Sequence, residues 1–353
     1  MSPVAPASLI EIAARVEARL DEVLVAEAER WRALDDELVR PVEEVRRMVL
    51  LGGKRLRPAF CHWGFIGAGG RDGDPLDLDA GCALELMHAF ALFHDDVMDD
   101  AASRRGAPTT HTVRADEHAA QGWIGESRRF GEGVAILVGD LAFVYADRLL
   151  NGAPREALRV WDELRIELNI GQYLDIVGSV RGERDVARAE RISRYKSGKY
   201  TIERPLHLGV ALAAPERLDE LAPALSRYGL PLGDAFQMRD DVMGAFGDSG
   251  LTGKPVGGDL REGKPTPLLA RAVRAADPTQ RATLDLVGRP DLTNADIAAI
   301  QQVIVDTGAL DELEAHIAAL TDEALAALGD IPVTDEAREE LVALAAYVSW
   351  RDA

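Results

Sequence analysis

Apolar residues recur at intervals of three and four along almost the whole chain, the spacing of one helix face, and this predicts helix nearly throughout. Ile12, Val16, Leu20, Val23 and Leu24 mark the first such face, with Ser8 and Glu11 forming a capping-box pattern at its start. Pro41 opens the next helix, which runs through Val45 and Met48 to the Gly52-Gly53 pair. Residues 78–100 are apolar on most sides and then abruptly acidic, predicting a central, buried helix with a charged end. Helices are also predicted over 134–150, 155–178, 185–213 and 217–244. Amphipathic helices fill the final third, two of them capped at Thr293 (with Asp296) and Thr334. Two punctuated stretches read as loops: 121–133, with four glycines, and 247–267. No alternating strand pattern of useful length interrupts this, so the expected fold class is all-α.

Length and composition sharpen the picture only slightly. A chain of 353 residues suggests two domains by length alone. The polar clusters on either side of each Gly-rich loop are chemically complementary, so one helical domain spanning 1–353 is the expectation. With 47% hydrophobic and 28% charged residues the chain has an ordinary globular composition. Its net charge of −20 argues against coating nucleic acid or an anionic membrane, which are gripped through Lys and Arg. A small anionic ligand held by a few local bases remains compatible with that charge. No apolar run approaches the ~18 residues of a spanning helix, so stable membrane insertion is not expected. The start lacks a basic stretch before an apolar one and does not read as a secretion signal. Cys61 and Cys82 fit no metal spacing, and a cytoplasmic setting is expected.

The chemistry concentrates in a few clusters. HDDVMDD at 94–100 puts Asp95 and Asp99 on one helix face with Asp96 beside them. Like charges so placed cost a bare helix a few tenths of a kcal/mol per pair, roughly, which makes sense where a hard cation with oxygen ligands sits. A solvated helix end is the plainer explanation of such a run taken alone. QMRDDVMG at 237–244 ends a second apolar helix with Asp240 and Asp241, Gln237 lying one turn earlier. Two such ends facing across a cavity would share Mg²⁺ ions that also bind substrate phosphates. Bases flank the acids: Lys54, Arg55 and Arg57 in GGKRLRP, Arg104 and Arg105 in SRRG, Lys196 and Lys199 in RYKSGKYT, and Lys254 and Lys264 in the late loop. Each alone would be an ordinary surface base. Beside the acids, Arg forks and Lys point charges describe a diphosphate site.

Taken in order, GGKRLRP, HDDVMDD with its trailing RRG, Gly139-Asp140, GQYLD at 171–175, the YKS segment, QMRDD and GKPVGGDLREGK resemble the trans-isoprenyl diphosphate synthase (polyprenyl synthetase) family from about residue 45 to 270. The resemblance implies a bundle of long helices around a deep central cavity. It implies Mg²⁺-dependent 1'-4 condensation of isopentenyl diphosphate with C5–C15 allylic diphosphates, with roughly three ions bound. A homodimer is implied as well. By the same resemblance, Asp95, Asp99 and Asp240 are metal ligands supported by Asp96 and Asp241. Arg104, Lys196 and Lys254 contact the allylic diphosphate, and Lys54, Arg57, His88 and Arg105 form the isopentenyl diphosphate pocket, with Arg55 less clearly placed. Gln237 and Gln172 lie near the reacting centre. Loss of diphosphate leaves an allylic cation, and the metal and bases stabilise the departing charge. His94 and His111 need no chemical role.

Departures from the family pattern bear on details. Gly244 replaces the last Asp of the second motif, leaving Asp248 or Asp259 to complete metal binding, and Ser197 replaces a usual Thr while keeping the hydroxyl. The sequence ends WRDA without a basic tail, so closure of the pocket by such a tail is not expected. In the family, bulk just before the first Asp motif floors the shaft for the growing product. Here Phe90 lies five residues before Asp95 and Ala91 four, and one aromatic there resembles short-chain enzymes making C20 (geranylgeranyl) or C15 (farnesyl) products. The two residues between the Asp pair and Asp99 tilt the resemblance to C20, while Met87 as floor would give C15. A terpene cyclase would not need the second basic pocket, and a non-catalytic partner subunit would be expected to lose the first Asp motif.

Overall fold

The computed structural model describes residues 4–247 and 257–351, and these are almost entirely helical. The chain packs as two compact units, one formed by Ala7–His62 and Arg71–Pro154, the other by Met1–Pro6, Trp63–Gly70 and Arg155–Ala353.

In the first unit, α1 (Ala7–Arg32) lays its buried face of Leu9, Ile12, Val16, Leu20 and Leu24 against α2 (Arg40–Leu50) and α4 (Pro75–Met98). Because α1 starts at Ala7, Ser8 falls inside its first turn and is not the cap expected. Pro41 does stand in the first turn of α2. The chain then turns through Gly52 and Gly53, both at positive φ, into α3 (Leu56–Gly67). Helix α4 starts three residues before the predicted boundary, since the Asp74 side chain accepts from Leu76 N at 2.9 Å and Pro75 follows the cap. It is buried on most sides, as its composition predicts, and packs on α6 (Ser127–Leu149), which in turn packs on α5 (Thr110–Gln121).

The predicted loop 121–133 is largely wrong: α6 already begins at Ser127. Gly131, taken as a breaker, is there for close packing. A Cβ on it would lie 2.1 Å from His111 O on α5, so only glycine lets the two helices approach this far.

The second unit contains α7 (Arg155–Val180), α8 (Val186–Ser193), α9 (Arg204–Ala213) and the long α10 (Leu218–Phe246). The helix predicted over 185–213 is interrupted by a π-helical stretch, Arg194–Glu203. Helices α11 (Gly258–Glu262) to α16 (Asp335–Trp350) follow, with α12 (Pro267–Ala275), α13 (Pro278–Leu284), α14 (Asn294–Asp306) and α15 (Ala309–Leu328) between. The expected loop 247–267 thus carries a short helix, and its residues 248–256 lie outside the described ones. Leu268, Ile300, Ile304, Leu313 and Ile317 build a shared core against Met238 of α10. The caps at Thr293 and Thr334 form as predicted; Thr293 and Asp296 make a full reciprocal box.

Candidate active site

The first acid cluster ends α4. Asp95 and Asp96 lie in its last turn and Asp99 caps it, donating its N–H to Asp95 O at 2.8 Å. Four residues on, Ser103–Arg104 and Ala107–Pro108 pair as a minimal hairpin whose turn residues, Arg105 and Gly106, both have positive φ. A two-residue turn of that hand returns the chain immediately. It brings Arg104 back over the acids: Nε donates to Asp96 Oδ1 at 2.5 Å and a terminal nitrogen to Asp95 Oδ2 at 3.1 Å. Asp96 is nearly inaccessible, and burial pushes its carboxyl up to about 6 although Arg104 pulls it down. Its Oδ2 is buried and has no hydrogen-bond partner among the described residues.

A basic cluster lies in the same unit. Arg105 donates to Gly52 O, and both glycines of the pair have the positive φ that this turn of the backbone requires. His88 is held neutral well below the usual histidine range, first by burial and then by Arg57, Arg105, Arg104 and Arg55 around it. Cationic side chains gathered at one half-buried imidazole, on a chain of net charge −20, mark a place prepared for an anion. Arg55 differs from its neighbours. It is buried, pairs with Glu85 and with Glu17 at 3.0 Å, and donates to Val49 O. Its charge is used within the fold. Lys54 is half-buried at the entrance to α3.

Before Asp95, Phe90 is half-buried and its ring meets Phe143 of α6 at 4.8 Å and His94 at 4.6 Å between centroids. Ala91 is also half-buried, while Met87 is fully buried. His94 Nε2 donates to Ile136 O at 3.1 Å, and its ring lies where a Cβ on Gly139 would be, 2.5 Å off. Gly139 of the Gly139-Asp140 pair is thus needed for packing. His111 Nδ1 is a buried nitrogen without a hydrogen-bond partner among the described residues, and its other nitrogen lies 4.0 Å from Asp100.

The second acid cluster ends α10 in the other unit. Gln237 donates to Asp241 Oδ1 at 2.9 Å. Asp241 is buried and held well above the usual carboxyl range, by burial first and then by the nearby Asp259 charge. Its Oδ2, like that of Asp96, is buried without a hydrogen-bond partner among the described residues. Asp240 is 37% exposed and accepts from Arg351. The Gly244 departure has a direct answer. A Cβ at Gly244 would lie 1.9 Å from Asp259 Oδ2, so the Asp259 carboxylate, delivered by α11, fills the space a side chain at 244 would need. Asp248 lies outside the described residues.

Lys196 and Ser197 stand in the π-helical stretch, both half-buried. Lys196 donates to Asp175, the last residue of GQYLD, at 2.6 Å, with Gln172 half-buried one turn before. Lys199 is tied to Glu167 and, at 3.5 Å, Glu203, so it serves the fold. Lys264 pairs with Glu262 at 2.6 Å and lowers the Asp241 pKa from nearby. Lys254 lies outside the described residues.

Do these residues fit a metal? No group of three His, Cys, Asp or Glu side chains among the described residues forms a ready-made cage. Mg²⁺ does not ask for one, because it is bound through one or two carboxylates, waters and substrate phosphates. Asp96 and Asp241 each have a buried oxygen without a partner among the described residues and stand beside further carboxylates, a donor set whose chemistry suits a hard cation. Sequence reading gave no role to Arg351, on which no motif bears, or to Asp175 of GQYLD, which meets Lys196 only once the π turn folds onto α7.

Comparison with known proteins follows the same residues. The Polyprenyl synthetase family model matches residues 40–304. The geranylfarnesyl diphosphate synthase of Aeropyrum pernix is 33% identical over 306 residues, covering 84% of this chain and 89% of its own. The geranylgeranyl diphosphate synthase of Mycobacterium tuberculosis is 32% identical over 284 residues, covering 76% and 75%. Among solved structures, a geranylgeranyl pyrophosphate synthase from Corynebacterium glutamicum, complexed with isoprenyl diphosphate and magnesium, is 39% identical with a TM-score of 0.90 over 97% of this chain and 99% of that one. No helix of the described residues is long and apolar enough to cross a membrane. With the family match spanning both acid clusters and the arginines around His88, this chain belongs to the polyprenyl synthetase family and is a prenyltransferase.

Proposed function

We propose that the chain is a short-chain trans-prenyl diphosphate synthase that joins isopentenyl diphosphate to allylic diphosphates and stops at C20. The observation that carries the reaction is the repeated device of a buried carboxylate with an orphan oxygen, Asp96 and Asp241, next to more accessible carboxylates at the end of an apolar helix. In this reading Asp95, Asp99 and Asp240 hold Mg²⁺, roughly three ions, with Asp259 supplying the acid that Gly244 cannot. The bound metal neutralises the departing diphosphate. Arg104, Lys196 and, on resemblance alone, Lys254 hold that diphosphate, and Asp175 aims Lys196. Lys54, Arg57, His88 and Arg105 take isopentenyl diphosphate, with His88 neutral and able to donate one hydrogen bond without adding charge. Gln172, Ser197 and Gln237 line the reacting centre. The two compact units act as one synthase domain.

Support for C20 comes from Phe90. It is half-buried and braces on Phe143, whereas Met87, the C15 alternative, has no exposed surface. The test is product analysis of Phe90→Ala, expected to lengthen the product by at least one isoprene unit; an unchanged length contradicts the assignment. A homodimer is part of the proposal, supported by the exposed Ile136, Leu137 and Val144 on α6. Sedimentation of the purified protein checks it.

A further inference from the structure

Just past α16, Arg351 is buried although it carries a full charge. Its side chain is 3% exposed, against 37% for its partner Asp240. Three contacts hold it. The guanidinium lies over the Phe236 ring at 4.4 Å, one terminal nitrogen donates to Val348 O at 2.5 Å, and the other donates to Asp240 Oδ1. Nε is buried with no hydrogen-bond partner among the described residues. The backbone before it is fastened to the same helix by a second arginine: Arg239 Nε donates to Ser349 O at 2.9 Å while its terminal nitrogens grip Glu314 at 2.7 and 2.5 Å. Phe236 and Asp240 are one turn apart on α10, so the ring is a seat that fixes where the guanidinium can present its fork.

A buried arginine with an unsatisfied nitrogen is a poor way to stabilise a fold, since desolvation offsets most of the ion-pair gain. It is a good way to fix the orientation of one carboxylate. We infer that Arg351 is a positioning residue for Asp240: it engages Oδ1 and fixes the carboxylate so that Oδ2 would be the oxygen left to hold a metal. The inference rests on the reading of Asp240 as a Mg²⁺ ligand. It carries a sign. A guanidinium that merely occupied the metal's place would compete with Mg²⁺, and removing it would tighten metal binding. One that orients the ligand should weaken binding when lost, as partners of metal-ligating carboxylates do, by about 10–100-fold.

The test titrates Mn²⁺, read by the EPR signal of the free ion, into the full-length protein with a non-cleavable bisphosphonate present. Wild type, Arg351→Gln, Arg351→Lys and Asp240→Ala are compared, with thermal unfolding in EDTA as a check that each is folded. Arg351→Gln is expected to weaken Mn²⁺ about 10–100-fold, Arg351→Lys by less, and excess Mg²⁺ to restore kcat in both. If Arg351→Gln does not fold, the lysine variant carries the test, because it keeps the charge and loses only the fork. Unchanged or tighter Mn²⁺ binding in the arginine variants, with Asp240→Ala weakened, overturns the inference alone. Unchanged binding in Asp240→Ala overturns the metal-ligand reading and the inference with it.

Discussion

Single side chains decide whether this chain has three acids at its second acid cluster. The motif on α10 lacks one at Gly244, and Asp259 reaches into that space from α11. Adding the acid back to α10 should therefore harm the site. Gly244→Asp sets two carboxylates in one space and is expected to raise the Mg²⁺ requirement at least about tenfold, while Gly244→Asp with Asp259→Gly recovers part of the loss. Mg²⁺ titration of the initial rate separates the two. A second prediction concerns Arg55, which sequence reasoning grouped with phosphate-binding bases and the structure assigns to the fold. Glu85→Gln leaves that buried guanidinium with only Glu17 and Val49 O, and should lower stability by about 3 kcal/mol in urea unfolding. A change under 1 kcal/mol, roughly, would mean Arg55 relaxes into other partners.

At the scale of elements, the π-helical stretch 194–203 is the feature that places Lys196, and glycines make it possible. Cβ atoms at Gly171 and Gly198 would lie 2.3 Å from Lys196 N and 2.9 Å from the Gly233 carbonyl carbon, so the stretch packs backbone against backbone on α7 and α10. Such a packing leaves no trace in apolar periodicity, and the sequence reads as one continuous helix there. Gly171→Ala is expected to cost at least 2 kcal/mol or so in thermal unfolding and to reduce kcat with it, since Lys196 must move. Glycine misled the reading in the other direction as well: those at 122–133 spell a loop, yet Gly131 is a contact point inside α6. What the sequence did reveal were local devices, such as the Thr293–Asp296 box, the Pro41 start and the acidic end of α4. Arg351 was not legible as part of the site because it depends on where a distant segment docks, whereas Asp259 was one of two candidates the sequence offered and the packing at Gly244 singles it out among the described residues.

Helix α9 supplies a pH prediction. His207 is buried, with Ser226 Oγ at 3.1 Å and the Arg204 guanidinium at 3.4 Å, and burial lowers its pKa to about 4. The nearby Glu203 charge opposes this and does not prevail. An unfolded chain therefore takes up the proton first as the pH falls. The contribution of neutral His207 is complete above about pH 6.5 and is lost on the way down to about pH 4, up to about 3 kcal/mol. His207→Gln should flatten the fall of Tm over that interval relative to wild type; parallel curves would contradict the assignment.

The molecule as a whole joins features that composition alone would not connect. An acidic chain gathers arginines around one neutral histidine, and it ends two long apolar helices with carboxylates whose buried oxygens lack partners. Relatives named for C20 and C25 products share about a third of its residues, which supports the reaction class and leaves product length to this chain's own side chains. Incubation of the purified protein with Mg²⁺, isopentenyl diphosphate and each of the C5, C10 and C15 allylic diphosphates, followed by product analysis, tests the central claim most directly. A linear product that stops at C20 from every accepted starter is the predicted result. Failure to condense any starter, in protein shown to be folded, would contradict the synthase reading.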